Sequence, residues 1–283
     1  MIDVNKSGEN QAARWNGPAG QAWVEAQTLI DQLFKPLEDI LVEHVPTGSG
    51  RRLLDVGCGT GGTTLAAARR LAADGQCVGV DVSEPMIAAA RTRAEREGAR
   101  VRFILADAQS HDFEPRGFDM IISRFGVMFF DDFVQAFTNL GRAAAEGASL
   151  RFLAWRSAAD NPFMTTAERA AAPLLPNLPA RQPDAPGQFA FADQRRVHRI
   201  LEQSGWAAID IQPIDVDCSL PEKALADYFT RFGAVGSILV DADDITRKRV
   251  IQTVRPAFDP YVQGDEVRFT AACWMVSANA QPA

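Results

Sequence analysis

Between residues 51 and 155 the chain alternates two hydrophobic spacings. Short apolar runs, "RRLLDVG" (51–57), "CVGVDVS" (77–83), "VRFILAD" (101–107), "FDMIISR" (118–124) and "ASLRFLAW" (148–155), read as buried strands. Between them, "TTLAAARRLAADG" (63–75), "EPMIAAARTRAEREG" (84–98) and "DDFVQAFTNLGRAAAEG" (131–147) repeat apolar positions every three or four residues and read as helices. The second carries Pro85 in its first turn and Gly98 beyond its end, and the third has an acidic start in Asp131 and Asp132. Strands alternating with helices at this spacing imply right-handed crossovers, hence an α/β fold with a parallel sheet. Ligands are then expected at the carboxyl ends of the strands.

The flanks follow other patterns. Residues 20–45 read as helix, with apolar positions such as Trp23, Leu29, Leu33, Leu37, Ile40 and Leu41 near three- and four-residue spacing. The stretch 157–192 is rich in proline (162, 173, 176, 179, 183 and 186) and is helical only near "NPFMTTAERAAA". A helix at "ADQRRVHRILEQSGW", a strand near 207–217, a helical stretch at 221–258 and a last strand, "EVRFTAACWMVSA", complete the chain. The expected organisation is an N-terminal helical lid (1–50), a core (51–156), a cap insertion (157–192), and a segment (193–283) that completes the sheet and adds the helices at 221–258.

Composition narrows the function classes. No apolar run approaches the ~18–20 residues of a membrane span, and the polar start "MIDVNKSGEN" lacks a secretory core. Cysteines at 58, 77, 218 and 273 show no C-x-x-C pairing, so neither a metal site nor a disulfide framework is expected, and a cytoplasmic setting is. A net charge of −7 disfavours bulk nucleic-acid binding. Nothing in the pattern fixes an oligomeric state.

The candidate chemistry begins at "LLDVGCGTGGTT" (53–64), where Gly57, Gly59 and Gly62 satisfy G-x-G-x-x-G. A dinucleotide loop sets backbone N–H groups against a pyrophosphate. Asp55 would then bring a carboxylate close to that negative charge, which is costly where water is scarce. S-adenosylmethionine, with a sulfonium, an ammonium and no phosphate, suits the pattern better. Asp81, 24 residues after Gly57 (81 − 57), ends the second strand and can accept ribose hydroxyls, as in nicotinamide enzymes. "ADAQ" (106–109) puts Asp107 and the N–H of Ala108 where an adenine edge could meet them.

Together these motifs resemble class I S-adenosylmethionine-dependent methyltransferases over about residues 52–155, within them the ubiquinone/menaquinone and tocopherol methyltransferase-like type. "LLDVGCGTG", "GVDVSEPMIAAAR", "ADAQ" and "FDMIISRFGVMFF" match in order. The resemblance implies a Rossmann-like sheet of seven strands, mostly parallel, with helices on both faces and a helical cap. It implies Gly57 and Gly59 close to the cofactor, Asp81 on its ribose, Val82 and Met86 against adenine, and Asp107 with Ala108 at the adenine edge. Cys58 joins this set through its backbone, with Asp55, and Ser123 and Arg124 join it at the end of the fourth strand. Arg124 needs a partner: the cofactor carboxylate, a substrate anion or a structural acid. The expected product is S-adenosylhomocysteine, with no metal involved. The insertion after the fifth strand departs from the compact quinone enzymes and argues against a quinone substrate.

The acceptor is expected to be a small molecule. Phe125, Met128 and Phe129 could line its pocket. Trp15 and Trp23, flanking the Gly17–Pro18 turn, could close a lid, and Phe163, Phe189 and Phe191 of the insertion could enclose it. His44, His111 and His198 read as surface or loop residues. No side chain announces itself as a general base. Two alternatives share the glycine loop: a cofactor-binding protein without methyl transfer, and an NAD-dependent oxidoreductase.

Overall fold

The sheet grows outward from β1 (Arg52–Val56), whose Leu53, Leu54 and Val56 are almost wholly buried. It pairs in parallel with β2 (Gln76–Asp81) and β4 (Phe118–Arg124), as expected for strands covered on both faces. β3 (Val101–Leu105) lies outside β2, and β5 (Ala144–Trp155) beyond β4, both parallel. β6 (Trp206–Pro221), β7 (Val262–Gln263) and β8 (Glu266–Ala280) follow, giving the order β3-β2-β1-β4-β5-β8-β6, with β7 paired to β8. β8 is antiparallel to both β5 and β6. This computed structural model describes residues 11–182 and 185–281. The first ten residues of the expected lid and Pro183 of the insertion lie outside them.

The fold is the expected Rossmann-like sheet, with seven strands along its main path. β7 is an eighth, formed by a hairpin whose turn uses Gly264 at φ +66°. Three element boundaries differ from the sequence pattern. The helix expected over 20–45 is broken into Pro18–Glu25, Gln27–Leu33 and Lys35–Glu43, preceded by Gln11–Asn16. Pro36 explains the last break, since it lacks an N–H and crowds the turn before it. The helix expected to run through Gly147 stops at Ala143. Ala144 pairs with Phe118, and a bulge, with Gly147 at φ +70°, restores register at Ser149 opposite Met120. The helical stretch 221–258 breaks at Gly233 (φ +69°) and again before Asp244, giving Leu225–Arg231, Gly233–Leu239 and Asp244–Val254, and ends in 3-10 turns.

Other local signals hold. Asp132 caps its helix by accepting the Gln135 N–H at 2.9 Å, and Asp243 accepts that of Thr246 at 2.6 Å. Leu33, Leu37 and Leu41 are fully buried. The helices 27–43 therefore belong to the core, and the first two helices cover the strand ends. No helix among the described residues is long and apolar enough to cross a membrane.

Candidate active site

A cavity of about 1080 Å³ opens at the carboxyl ends of β1–β5. Its floor is the glycine loop. The Gly57 and Cys58 N–H groups donate to the Val80 carbonyl (2.9 and 3.1 Å), which folds the loop over β2. Gly57 has φ +67°, and a Cβ there would come 2.6 Å from Gly126 Cα. Two backbones thus cross at a distance that only glycine permits. Asp81 organises the next turn. Its Oδ2 accepts the Gly59 N–H at 2.8 Å and its Oδ1 accepts the Ser83 N–H at 2.9 Å. Burial raises the Asp81 carboxyl above its ordinary range, while these backbone donors pull it down.

Asp55 is placed differently from the expectation. It is 1% exposed and is not among the cavity-lining residues. Its Oδ2 accepts the Thr64 hydroxyl at 2.6 Å, tying β1 to the helix Gly62–Arg70. Burial pushes its carboxyl up to about 7, against the hydrogen bond from Thr64 and the charge of Arg124. The carboxylate thus reaches the cavity through its charge on Asp81 and Cys58 and not by contact. Ser123 also lies behind the wall: its Oγ accepts the N–H groups of Gly126 (3.1 Å) and Val127 (3.3 Å), fixing the turn after β4. At that turn Phe125 adopts φ +66°, a strained conformation for a bulky side chain. Its ring stacks on Trp155 at 4.5 Å.

Val82, Met86, Asp107, Ala108, Arg124, Phe125, Met128 and Phe129 all line the cavity, with Trp15 and Trp23. The Arg124 guanidinium stands 5.8 Å over Phe34, and its buried Nη1 has no hydrogen-bond partner among the described residues. Asp107 holds its own turn, Oδ1 accepting the Gln109 N–H at 2.9 Å. The Cys58 thiol is driven well up by burial, which suits a packed residue and not a nucleophile. His111 packs against Phe113 and stays outside the cavity lining.

The roof comes from both flanks. Asn16 donates to the Val82 carbonyl (2.9 Å) and accepts the Glu84 N–H (2.7 Å), while the Ser83 hydroxyl donates to the Trp15 carbonyl at 2.6 Å. Trp15 meets Phe129 edge-on at 5.1 Å, and Trp23 meets Phe232 at 5.6 Å. An Arg231–Glu25 ion pair (2.6 Å) joins the two flanks. Of the three insertion phenylalanines, Phe163 reaches the cavity. Phe191 packs into the core with Phe133, Phe137 and Phe152, and Phe189 lies beneath Arg181. Among the described residues no cluster of His, Cys, Asp and Glu could hold a metal ion, and all four cysteines are free thiols.

Residues 53–147 match the family model described as a methyltransferase domain. Over that stretch the chain carries a methyltransferase domain. The chain is 30% identical over 137 residues to aklanonic acid methyltransferase DauC of Streptomyces sp. (strain C5), covering 47% of this chain and 62% of that protein. It is 38% identical over 112 residues to the demethylmenaquinone methyltransferase of Thermus thermophilus, covering 40% and 49%. The chain thus spans between about half and two thirds of the length of these curated relatives. The structure of Haemonchus contortus phosphoethanolamine N-methyltransferase 2 in complex with S-adenosyl-L-methionine superposes with a TM-score of 0.57 at 18% identity, over 94% of this chain and 57% of that one. At that identity the likeness is one of fold.

Several lining residues of the methyltransferase domain and its roof were not singled out in the sequence. Phe34, Gly126, Trp155 and Tyr228 face the cavity, yet each lies in a run that reads as ordinary core or helix. The buried Asp55 supplies a pH test. A carboxyl raised from 3.8 to about 7 contributes stability that is fully present below 3.8 and is lost as pH rises through 7. Asp55→Asn keeps an oxygen for Thr64 and does not ionise. Between pH 5 and pH 8 wild type should therefore lose roughly 2.5–3 kcal/mol more unfolding free energy than Asp55→Asn, over about two pH units at ~1.4 kcal/mol each. Urea melts at both pH values check this, and parallel curves would contradict it.

Proposed function

We propose that this chain transfers the sulfonium methyl of S-adenosylmethionine to a small, largely apolar acceptor. The carrying observation is the roofed cavity, which joins the Asp81–Asp107 side to an aromatic half lined by Phe125, Trp155 and Phe163. Its size is at the top of the ~300–1,000 Å³ range of small-molecule sites, enough for a cofactor and an acceptor side by side. The residues present fit the cofactor. Asp81 would hold the ribose hydroxyls with the lone pairs its backbone donors leave free. Asp107 and the Ala108 N–H would meet the adenine edge, beside Val82 and Met86. The Nη1 of Arg124, without a partner among the described residues, suits the cofactor carboxylate.

When bound, S-adenosylmethionine supplies a methyl already activated by its sulfonium. What remains for the chain is alignment and exclusion of water. The roof of Trp15, Trp23, Phe129 and Phe232 supports both. It also favours a compact acceptor over a folded protein or a nucleic acid. A metal has no part in this reading.

Calorimetric titration with S-adenosylmethionine, S-adenosylhomocysteine and NAD tests it, followed by S-adenosylhomocysteine release with a panel of phenols, amines and enols. Micromolar binding of the two sulfur nucleosides and acceptor-dependent release are expected. NAD binding in their place would return the dehydrogenase reading. Binding without release for any acceptor would favour a cofactor-binding protein that transfers nothing.

A further inference from the structure

In the acceptor half of the cavity the Tyr228 hydroxyl is poorly served by its surroundings. Tyr228, on the helix Leu225–Arg231, lines the cavity between Phe163 (5.7 Å) and Phe232 (5.8 Å). Its hydroxyl makes one hydrogen bond among the described residues, to the Met164 thioether sulfur at 3.3 Å. A thioether is a weak acceptor, and buried tyrosine hydroxyls ordinarily find an oxygen or nitrogen. Met164 lines the same cavity, so a ligand oxygen could take its place without disturbing the fold. The neighbouring walls are rings: Phe163 is stacked on Phe269 at 3.9 Å, and Phe258 stands 5.2 Å from Phe163.

We propose that Tyr228 positions the methyl acceptor by donating a hydrogen bond to an acceptor oxygen, and that the acceptor is a flat aromatic molecule carrying such an oxygen. This assignment rests on the small-molecule methyltransferase reading above. Ring faces favour a planar partner through offset and edge contacts, and the Tyr228 donor sets its rotation in the slot. Burial raises the phenol above its ordinary range, so Tyr228 stays protonated at neutral pH and acts as a donor and not as a base.

The test uses full-length protein saturated with S-adenosylhomocysteine and two probes of similar size: chromone, a flat aromatic ketone, and naphthalene, which lacks oxygen. Hexylamine represents the aliphatic amine class. Tyr228→Phe should weaken chromone about fivefold to tenfold, the range of one net hydrogen bond, and leave naphthalene within about twofold. Met164→Leu, which removes the competing sulfur, should bind chromone at least as tightly as wild type. A merely structural Tyr228–Met164 contact predicts equal losses in both variants. Unchanged chromone affinity in Tyr228→Phe, no binding of either aromatic, or tighter binding of hexylamine than of chromone would overturn the proposal. S-adenosylhomocysteine affinity in Tyr228→Phe, expected to match wild type, controls for folding. Failure of wild type to bind S-adenosylhomocysteine would instead sink the underlying methyltransferase reading.

Discussion

Asp81→Ala is expected to weaken S-adenosylhomocysteine binding by at least about a hundredfold while leaving the fold intact. Two hydrogen bonds to a charged acceptor contribute ~1.5–3 kcal/mol each, and a hundredfold corresponds to ~2.7 kcal/mol. The same carboxylate fixes the cavity floor through the Gly59 and Ser83 N–H groups, so its loss also loosens the loop that meets the cofactor. The expected effect on stability is small for a physical reason. Burial raises the Asp81 carboxyl, so holding it ionised at neutral pH costs the folded state. Relief of that cost offsets the two donors left unpaired. Asp81→Asn keeps one acceptor oxygen and should fall between wild type and alanine in affinity. Calorimetry on the three proteins, with thermal melts alongside, decides the matter. If Asp81→Ala binds within about fivefold of wild type, the ribose assignment fails, whatever Arg124 does.

The order of strands and helices is legible because two hydrophobic periods stand out and local caps agree with them. Gly98 at φ +61° and the Asp132 cap sit where their residue types suggest. The helix misread over Ala144–Gly147 fails for the opposite reason. "AAAE" has strong helix propensity, but pairing of Ala144 with Phe118 overrides it. At the site, the glycine loop and Asp81 carry their meaning in the letters, since spacing alone puts them at neighbouring strand ends. Asp55 shows where letters run out. On a strand covered by helices on both faces, spacing does not say which way a carboxylate points, and this one points to Thr64. A repulsion between Asp55 and a pyrophosphate would have to act through the loop, since the carboxylate does not line the cavity. The roof was legible as helical but not in its contacts. Trp23 meets Phe232, and Glu25 meets Arg231, across a separation that no local pattern spans.

Gly57→Ala should be the most damaging single methyl added to the domain, and Gly98→Ala separates its two causes. Both residues have positive φ, +67° and +61°. A Cβ at Gly98 would meet nothing within 4 Å, so alanine there pays only the left-handed backbone cost, ~1–2 kcal/mol. A Cβ at Gly57 would lie 2.6 Å from Gly126 Cα, which is backbone and cannot rotate away. Overpacking of that kind adds ~1–3 kcal/mol. The strand-4 turn cannot retreat freely either. The Gly126 N–H is held by Ser123 Oγ, and the Phe125 N–H by the Leu153 carbonyl at 3.1 Å. Gly57→Ala is therefore expected to lose ~2–5 kcal/mol of unfolding free energy. Where it folds, the loop should be displaced enough to abolish measurable S-adenosylhomocysteine binding. Gly98→Ala should lose less and bind normally. Urea melts and calorimetry on both variants test this together. Equal destabilisation would mean that the crossing of the Gly57 and Gly126 backbones yields easily, and that the tight approach of β1 and β4 loops is not what shapes the cavity floor.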